Sequence, residues 1–276
     1  MKRYLKLVNF EFNRFLKIYL TLIGIVVLFQ MVGVIVNSQR YVSLAEEILN
    51  EGILPTSTFL EQYGQMSFLK ITGTPWFFGP IMLSIATLII YVFFIWYRDW
   101  LGKNTFIYRL LMLPTERINV YFAKATTILL LVLGLIALQL LLIPIESQIM
   151  RWIVPEEYVM NFTVKEITTS QDLIIFFPYT LTEFVVYYGG GISVVCIVFT
   201  AILFERSYRL KGVIYWILYC AASLLIFIAP LLVDSFLLDN YFYPLELLAL
   251  EVAMALLVLT IAIWTGNYLL KNKVRV

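Results

Sequence analysis

Residues Ala125–Ile145 read ATTILLLVLGLIALQLLLIPI, an apolar stretch of 21 residues without one charged side chain. A helix needs about 20 residues to cross the roughly 30 Å hydrocarbon core of a bilayer, so this stretch is long enough to span a membrane. Lipid offers the backbone no hydrogen-bond partners, whereas a helix satisfies its own backbone groups. The stretch therefore predicts a transmembrane helix.

Five further stretches have the same length and character, in a chain that is 62% hydrophobic and only 14% charged. They are Ile18–Val36, Trp76–Tyr97, Leu181–Phe204, Gly212–Val233 and Glu246–Leu269. This composition is too apolar for a soluble domain of 276 residues. The sequence predicts an all-α polytopic membrane protein with six transmembrane helices in a single domain over residues 1–276.

Basic residues are distributed unevenly over the segments between these spans. Sixteen of the twenty Lys and Arg lie in residues 1–17 and 98–124, after the fourth span and after the sixth. The other two long loops, 37–75 and 146–180, hold only Arg40, Lys70, Arg151 and Lys165. The positive-inside rule then predicts cytoplasmic termini and extracellular loops at 37–75 and 146–180. We expect a multi-pass protein of a bacterial plasma membrane.

Residues 1–17 are predicted to form an amphipathic helix before the first span. At 100° per residue one side is polar and basic and the other is bulky and apolar. The polar side holds Lys2, Lys6, Asn9, Asn13 and Lys17, and the apolar side Leu5, Val8, Phe12, Phe15 and Leu16. The pattern favours a helix lying in the inner interface. The alternative is one long helix that continues directly into the first span.

The extracellular loop 37–75 carries its own helix signal. Ser43-Leu44-Ala45-Glu46 matches a capping box, in which the Ser side chain and the Glu side chain satisfy each other's backbone N–H groups. This match predicts that a short helix begins there.

The cytoplasmic segment between the second and third spans, Tyr97–Lys124, reads YRDWLGKNTFIYRLLMLPTERINVYFAK. An apolar face made by Phe106, Leu110, Leu111 and Leu113 precedes Pro114, which ends a helix. Arg109, Glu116 and Arg117 are expected to project toward the cytoplasm. A short amphipathic helix, a proline turn and a second helix make a rigid protrusion that suits docking onto a soluble partner.

This segment resembles the loop between the second and third spans of the permeases of the type-2 ATP-binding cassette (ABC) exporter family. That loop typically has a glycine, a Leu-Leu-x-Leu-Pro segment, a basic residue and a second Gly-Lys. The matching positions are Gly102, Leu110, Leu111, Leu113, Pro114, Arg117 and Lys124, with Ala123 where the second glycine is usual. Six spans, cytoplasmic ends and a leading amphipathic helix extend the resemblance over nearly the whole chain.

The resemblance implies a homo- or heterodimer of six-span permease subunits with two separate ABC ATPase subunits. Residues 98–124 would hold the coupling helix, which contacts the ATPase through Arg109, Leu110, Leu113, Pro114, Glu116 and Arg117. Residues 1–17 would be the family's connecting helix. The alternative for the basic loop is simple attraction to anionic lipid headgroups, at about 1 kcal/mol per charge.

Several residues inside the spans are candidates for a translocation path. Glu183 and Glu251 lie near the outer ends of the fourth and sixth spans. Acids at such depth usually face an interior or water, or extend to the headgroups instead. Gly189, Gly190 and Gly191 lie in the middle of the fourth span, where they predict either a hinge beside a cavity or close helix packing.

The sequence offers little basis for catalysis. It contains no histidine, which excludes His-based zinc sites and Ser-His or Cys-His catalysis. No P-loop motif is present, so ATP and Mg²⁺ would be bound by a partner ATPase and no cofactor by this chain. We predict no catalytic residue, no metal site and no nucleic-acid partner.

Two functions follow. One is an ABC exporter permease that moves an amphipathic or hydrophobic compound such as an antimicrobial peptide, peptide toxin or drug. The alternative is a non-transporting immunity, sensor or assembly subunit that acts through its extracellular loops.

Overall fold

Six long apolar helices dominate the computed structural model. It describes residues 2–50, 55–101, 106–112, 115–170, 173–208, 210–237, 239 and 241–274. Within these ranges, six helices are long and apolar enough to cross a membrane. They are Arg3–Leu49, Pro75–Trp100, Ile118–Ile153, Leu181–Tyr208, Lys211–Leu237 and Pro244–Asn272. Each predicted span lies inside one of them, and the chain is a largely helical, multi-pass membrane protein.

The helices extend beyond the apolar stretches, and short elements connect them. In chain order the elements are α1 (Lys2–Asn50), α2 (Thr56–Tyr63), β1 (Met66–Ser67), α3 (Phe68–Thr72), α4 (Pro75–Trp100), α5 (Phe106–Leu111), α6 (Ile118–Ile153), β2 (Val159–Met160), α7 (Val164–Thr168), α8 (Leu181–Phe184), α9 (Gly190–Tyr208), α10 (Leu210–Leu237) and α11 (Pro244–Asn272). One 3₁₀ turn, Glu156–Tyr158, precedes β2, and one π-helical turn, Val185–Gly189, joins α8 to α9.

The first helix differs from its prediction. α1 continues from Lys2 to Asn50 without a break, so no helix ends near residue 17. This is the arrangement given by the alternative, a helix that runs directly into the first span. The predicted helix start at Ser43 is wrong, because residues 43–46 lie inside α1. The capping-box pattern does not mark a helix start here, because a Ser and a Glu three residues apart also fit the exposed side of a continuing helix.

The chain divides into two compact units, to which α1, α4 and α6 each contribute residues. The first unit comprises Met1–Arg14, Leu88–Leu130 and Thr180–Val276. The second comprises Phe15–Thr87 and Leu131–Tyr179.

In the first unit, α9, α10 and α11 pack against one another, and α6 joins them through a buried tyrosine. The Tyr121 hydroxyl donates to the Cys196 carbonyl oxygen at 2.8 Å, and the Thr200 hydroxyl donates to the Ala262 carbonyl oxygen at 2.9 Å. Gly266 on α11 permits this contact, because a Cβ there would lie 3.1 Å from the Tyr121 ring. These bonds fix α6, α9 and α11 side by side.

The second unit has its own apolar core, and it also contains buried polar side chains. The core is formed by Val34, Met66, Phe68, Ile71, Phe77, Ile81, Ile143, Met150, Val154, Ile167, Leu173 and Phe177. β1 and β2 pair in parallel over two residues each. Gln30 and Gln139 exchange amide hydrogen bonds at 3.2 Å between α1 and α6. Glu146 is fully buried, and neither carboxylate oxygen has a hydrogen-bond partner among the described residues.

Candidate functional site

A cluster of five charged side chains lies inside the first unit. Glu11 and Arg14 come from α1, Arg98 and Asp99 from the last turn of α4, and Lys124 from α6. We call these five residues the ion cluster. Lys124 and Asp99 are 0% exposed and Glu11 is 2% exposed. Charged side chains are almost never this buried unless they are paired.

Lys124 is at the centre of the ion cluster. Its Nζ atom lies 2.7 Å from Glu11 Oε1, 2.5 Å from Asp99 Oδ2 and 2.8 Å from the Ile95 carbonyl oxygen. An ammonium group has three N–H donors, so all three are used. The same atom lies 5.2 Å from the centre of the Trp96 ring, whose face attracts a cation. Lys124 thereby links α6 to α1 and to α4.

The two arginines satisfy the remaining carboxylate oxygens. Arg14 Nη1 lies 2.7 Å from Asp99 Oδ1, and Arg98 Nη2 lies 2.9 Å from Glu11 Oε2. Every carboxylate oxygen of the pair therefore accepts a charge-assisted hydrogen bond. Three cations against two anions leave the ion cluster with a formal charge of +1.

A short helix contacts the ion cluster through aromatic rings. Phe106, the first residue of α5, stacks on Phe10 of α1 with ring centres 5.7 Å apart. The Arg14 guanidinium lies over both rings, at 5.1 Å from Phe10 and 5.2 Å from Phe106. Tyr108 also meets the Trp100 ring edge-on at 6.3 Å. α5 is therefore attached to α1 and α4 at the ion cluster.

The ion cluster links three helices through paired charges. All of its carboxylate oxygens and all Lys124 protons are already bonded, so no group is free to act as a base or nucleophile. Opposite charges attract far more strongly in a low-dielectric interior than in water. Removing one partner of a buried pair typically costs about 3–5 kcal/mol. The three helices are thus held in one arrangement at this point, together with α5.

The predicted coupling residues take different positions. Arg109 and Glu116 are exposed, whereas Leu110 is buried in the first unit. Arg117 is half-buried and donates from Nη1 to the carbonyl oxygens of Leu270 and Val274, at 2.7 and 3.1 Å. It therefore satisfies backbone acceptors at the end of α11, which helix ends leave open. Leu113 and Pro114 lie outside the described residues.

The exposed side of α5 contains residues that the sequence pattern did not single out. Tyr108 is 37% exposed and Met112, directly after α5, is 71% exposed. Both lie beside the exposed Arg109, while Ile107, Leu110 and Leu111 form the buried side. We call Tyr108, Arg109 and Met112 the α5 face. Aromatic, Met and Arg side chains are enriched in protein–protein interfaces.

Glu183 has a local structural role. It is the third residue after the N-cap Thr180, and the two form a capping box at the start of α8. The backbone N–H of Glu183 donates to Thr180 Oγ1 at 3.1 Å, and the N–H of Thr180 donates to Glu183 Oε2 at 3.4 Å. An acid in the first helical turn also interacts favourably with the helix dipole. Helix capping therefore gives a reason for an acid at this position.

The glycine run lies at an irregular point in the fourth span. Gly189 ends the π-helical turn and Gly190 begins α9, so the backbone changes its hydrogen-bond pattern there. A Cβ at Gly190 or Gly191 would meet nothing within 4 Å. The run thus makes no close helix contact within the described chain. π-Helical turns are rare and often lie at functional sites. Glu251 is half-buried two turns into α11.

Glu11 and Asp99 are the functional candidates that the sequence pattern did not reveal. The basic-residue count places Arg14, Arg98 and Lys124 among cytoplasmic positive charges, but in the structure these three pair with two acids. One signal was available: Glu11 is the only acid in residues 1–17, and it lies on the apolar side near Val8 and Phe15. An acid on that side predicts a buried cation partner.

Comparison of the chain with protein-family models, with curated proteins and with solved structures finds no match.

Proposed function

We propose that this chain is the membrane-spanning permease subunit of an ATP-driven ABC exporter, coupled to separate ATPase subunits through the α5 face. Its substrate would be an amphipathic or hydrophobic compound, such as an antimicrobial peptide, a peptide toxin or a drug. ATP and Mg²⁺ would be bound by the ATPase subunits, because the sequence has no P-loop.

The attachment of α5 to the ion cluster is the observation that carries this proposal. A coupling helix must transmit a movement of the ATPase to membrane helices. Phe106 contacts Phe10 on α1 and Arg14 of the ion cluster. Arg14 in turn pairs with Asp99 on α4, and Asp99 pairs with Lys124 on α6. A force applied to α5 would reach three membrane helices through close-packed and ion-paired groups.

The exposed residues of the segment support a protein partner more than lipid headgroups. Lipid attraction requires several cations near the surface. The described, exposed part of α5 instead combines one arginine with a tyrosine and a highly exposed methionine. Arg117, a second cation of this segment, is engaged at the end of α11. A mixed aromatic, apolar and cationic surface is typical of the centre of an interface.

The apolar surface of the last two helices supports assembly with a second permease subunit. In the most apolar 18-residue stretch of α10 and of α11, only 11% is buried, compared with 28–33% in the corresponding stretches of the other four long helices. These helices therefore present most of their side chains to lipid or to another subunit, as a permease dimer would require.

The test is recovery of an ATPase with the purified permease. The chain is tagged and expressed in its own host, and co-purifying P-loop ATPases are quantified by mass spectrometry. Reversing the charge with Arg109→Glu and adding Met112→Glu is expected to reduce the recovered ATPase at least tenfold, which corresponds to about 1.4 kcal/mol. The loss follows from placing two acids in the interface.

The matched control is Lys271→Glu, which reverses an exposed cation near the end of α11. It is expected to leave ATPase recovery unchanged. ATPase recovery that is equal in the wild type, the α5-face variant and the control would contradict docking at this face. Absence of any P-loop ATPase from the wild-type preparation would contradict the proposed function as a whole.

A second candidate function is favoured by the second unit. Its apolar core includes residues of α3, α7 and the β1–β2 pair, which lie between the long helices in the chain. An immunity, sensor or assembly subunit would act through such an ordered extracellular part. In that case the α5-face variant would retain full biological activity, whereas a permease would lose it.

A further inference from the structure

An open, solvent-facing cavity of about 250 Å³ lies in the second unit, between α1 and the α3 region. Its polar wall is formed by Asn37, Arg40, Tyr41 and Lys70, and its apolar wall by Leu44, Met66 and Ile71. No acid is among these lining residues, so their formal charge is +2. The volume corresponds to about eight liquid waters, which admits a hydrated phosphate group.

Lys70 is held over the cavity by neighbouring groups. Its Nζ donates to the Tyr63 carbonyl oxygen at 2.9 Å and lies 5.9 Å from the centre of the Tyr41 ring. The Tyr41 hydroxyl donates to the Gly64 carbonyl oxygen at 2.8 Å, which fixes the ring. One of three ammonium protons is thereby used, and two remain for a ligand.

Arg40 and Asn37 supply further donors. Arg40 is exposed and has no ion pair among the described residues. A guanidinium matches phosphate oxygens with two parallel N–H groups. The Asn37 amide donates one proton to the Gly33 carbonyl oxygen at 2.7 Å, which leaves a second N–H free. Five or more donors thus remain around a cavity that has no acid of its own.

The position of the cavity along α1 indicates the source of an anion. The apolar stretch of α1 ends at Val36, and the cavity begins at the next residue, Asn37. One turn earlier, Gly33 lies against Trp76, and a Cβ at Gly33 would lie 2.5 Å from the Trp76 Cβ. Tryptophan is enriched where the hydrocarbon core meets the headgroups. The cavity therefore lies at headgroup depth, on the extracellular side in the predicted orientation.

We propose that this cavity binds the phosphate group of an anionic lipid in the outer leaflet. Lys70 and Arg40 neutralise the phosphate, Asn37 donates one further hydrogen bond, and Met66 and Ile71 cover the adjoining ester. Both apolar residues belong to the core of the second unit, so the floor of the cavity is fixed. The site depends on the membrane orientation and not on ATPase coupling.

The test measures lipid binding to the full chain in micelles of a maltoside detergent, which has no phosphate group. A short-chain phosphatidylglycerol is titrated, and bound lipid is counted by native mass spectrometry. The wild type is expected to bind one molecule, and Arg40→Gln with Lys70→Gln is expected to weaken binding about tenfold or more, because two charge-assisted contacts are lost. Lys70→Arg, which keeps the charge, is expected to retain binding.

The matched control is Lys165→Gln with Arg151→Gln. Lys165 also lies over a tyrosine ring, 5.5 Å from the centre of Tyr179, but it does not line the cavity. The control is expected to bind lipid as the wild type does. If the double Arg40 and Lys70 variant does not fold, the two single variants are measured in its place.

A second titration distinguishes the source of the phosphate. If inorganic phosphate displaces the lipid at equal concentration, the site binds free phosphate. If it does not displace the lipid, the site binds a lipid headgroup. Both results support an anion site. Equal binding of phosphatidylglycerol by the wild type and the variant without Arg40 and Lys70 would overturn it.

Discussion

Removing the central cation of the ion cluster is expected to destabilise the protein severely. Lys124→Met keeps an unbranched apolar stem but deletes the ammonium group and its charge. Two carboxylate oxygens, Glu11 Oε1 and Asp99 Oδ2, then lose their Lys124 contacts, and the Ile95 carbonyl oxygen loses its side-chain donor. These groups are buried, so water cannot replace the lysine without opening the unit.

The magnitude follows from the number of groups left without a partner. Each buried polar group that loses its hydrogen bond costs about 1–3 kcal/mol. Arg14 and Arg98 still neutralise the two carboxylates, so the total is expected to be about 3–5 kcal/mol, the range measured for broken buried ion pairs. This is a large fraction of the roughly 5–15 kcal/mol by which proteins are stable.

The assay is equilibrium unfolding in mixed micelles by titration with a denaturing detergent. Tryptophan fluorescence reports the transition, since Trp96 lies beside Lys124. A double-mutant cycle with Asp99→Asn is expected to give a coupling energy of at least about 1 kcal/mol, because the two residues are in contact. Lys271→Met, at an exposed position, is the control and is expected to change stability by less than about 0.5 kcal/mol. A Lys124→Met effect as small as this control would refute the ion cluster as a structural linkage.

Two further predictions concern packing and burial. Gly266→Val is expected to lower stability by about 1–3 kcal/mol, because its side chain would overlap the Tyr121 ring. Gly190→Ala lies in open space and is expected to raise stability by up to about 1 kcal/mol. Thermal unfolding of both variants checks this pair, and equal melting temperatures would contradict it. Glu146→Met is expected to stabilise the protein by about 1–3 kcal/mol in the same unfolding assay, because it removes a buried carboxylate without a hydrogen-bond partner among the described residues. A loss of stability would show that Glu146 is paired.

The number and place of the long helices could be predicted from hydropathy, because each span must satisfy its backbone hydrogen bonds inside lipid. The residues at which these helices end could not be predicted in this way. α1 continues fourteen residues past Val36 to Asn50, since a helix does not need an apolar surface once it leaves the hydrocarbon core. Hydropathy alone places the end of the span at Val36, where the apolar stretch ends. Helix boundaries are set by capping and packing, which single residues indicate poorly.

The ion cluster could not be derived from one sequence, because its members lie far apart in the chain. Lys124 pairs with Glu11 and Asp99, which precede it by 113 and 25 residues. A count of basic residues treats Lys124 as a surface charge, and only its burial shows otherwise. A short helix before Pro114 was predicted, and α5 lies there. Which side chains of residues 98–124 are exposed depends on contacts with α1 and α11, which the sequence does not reveal.

Photo-crosslinking at the α5 face tests the proposed coupling most directly. A photo-reactive amino acid replaces Met112, which is 71% exposed, and the protein is irradiated in its native membrane. We expect a covalent product of this chain with a P-loop ATPase. The same amino acid at Trp152, 76% exposed on the predicted extracellular side, is expected to give no such product. Absence of an ATPase crosslink at residue 112, or an equal one at residue 152, would contradict ATPase docking at the α5 face.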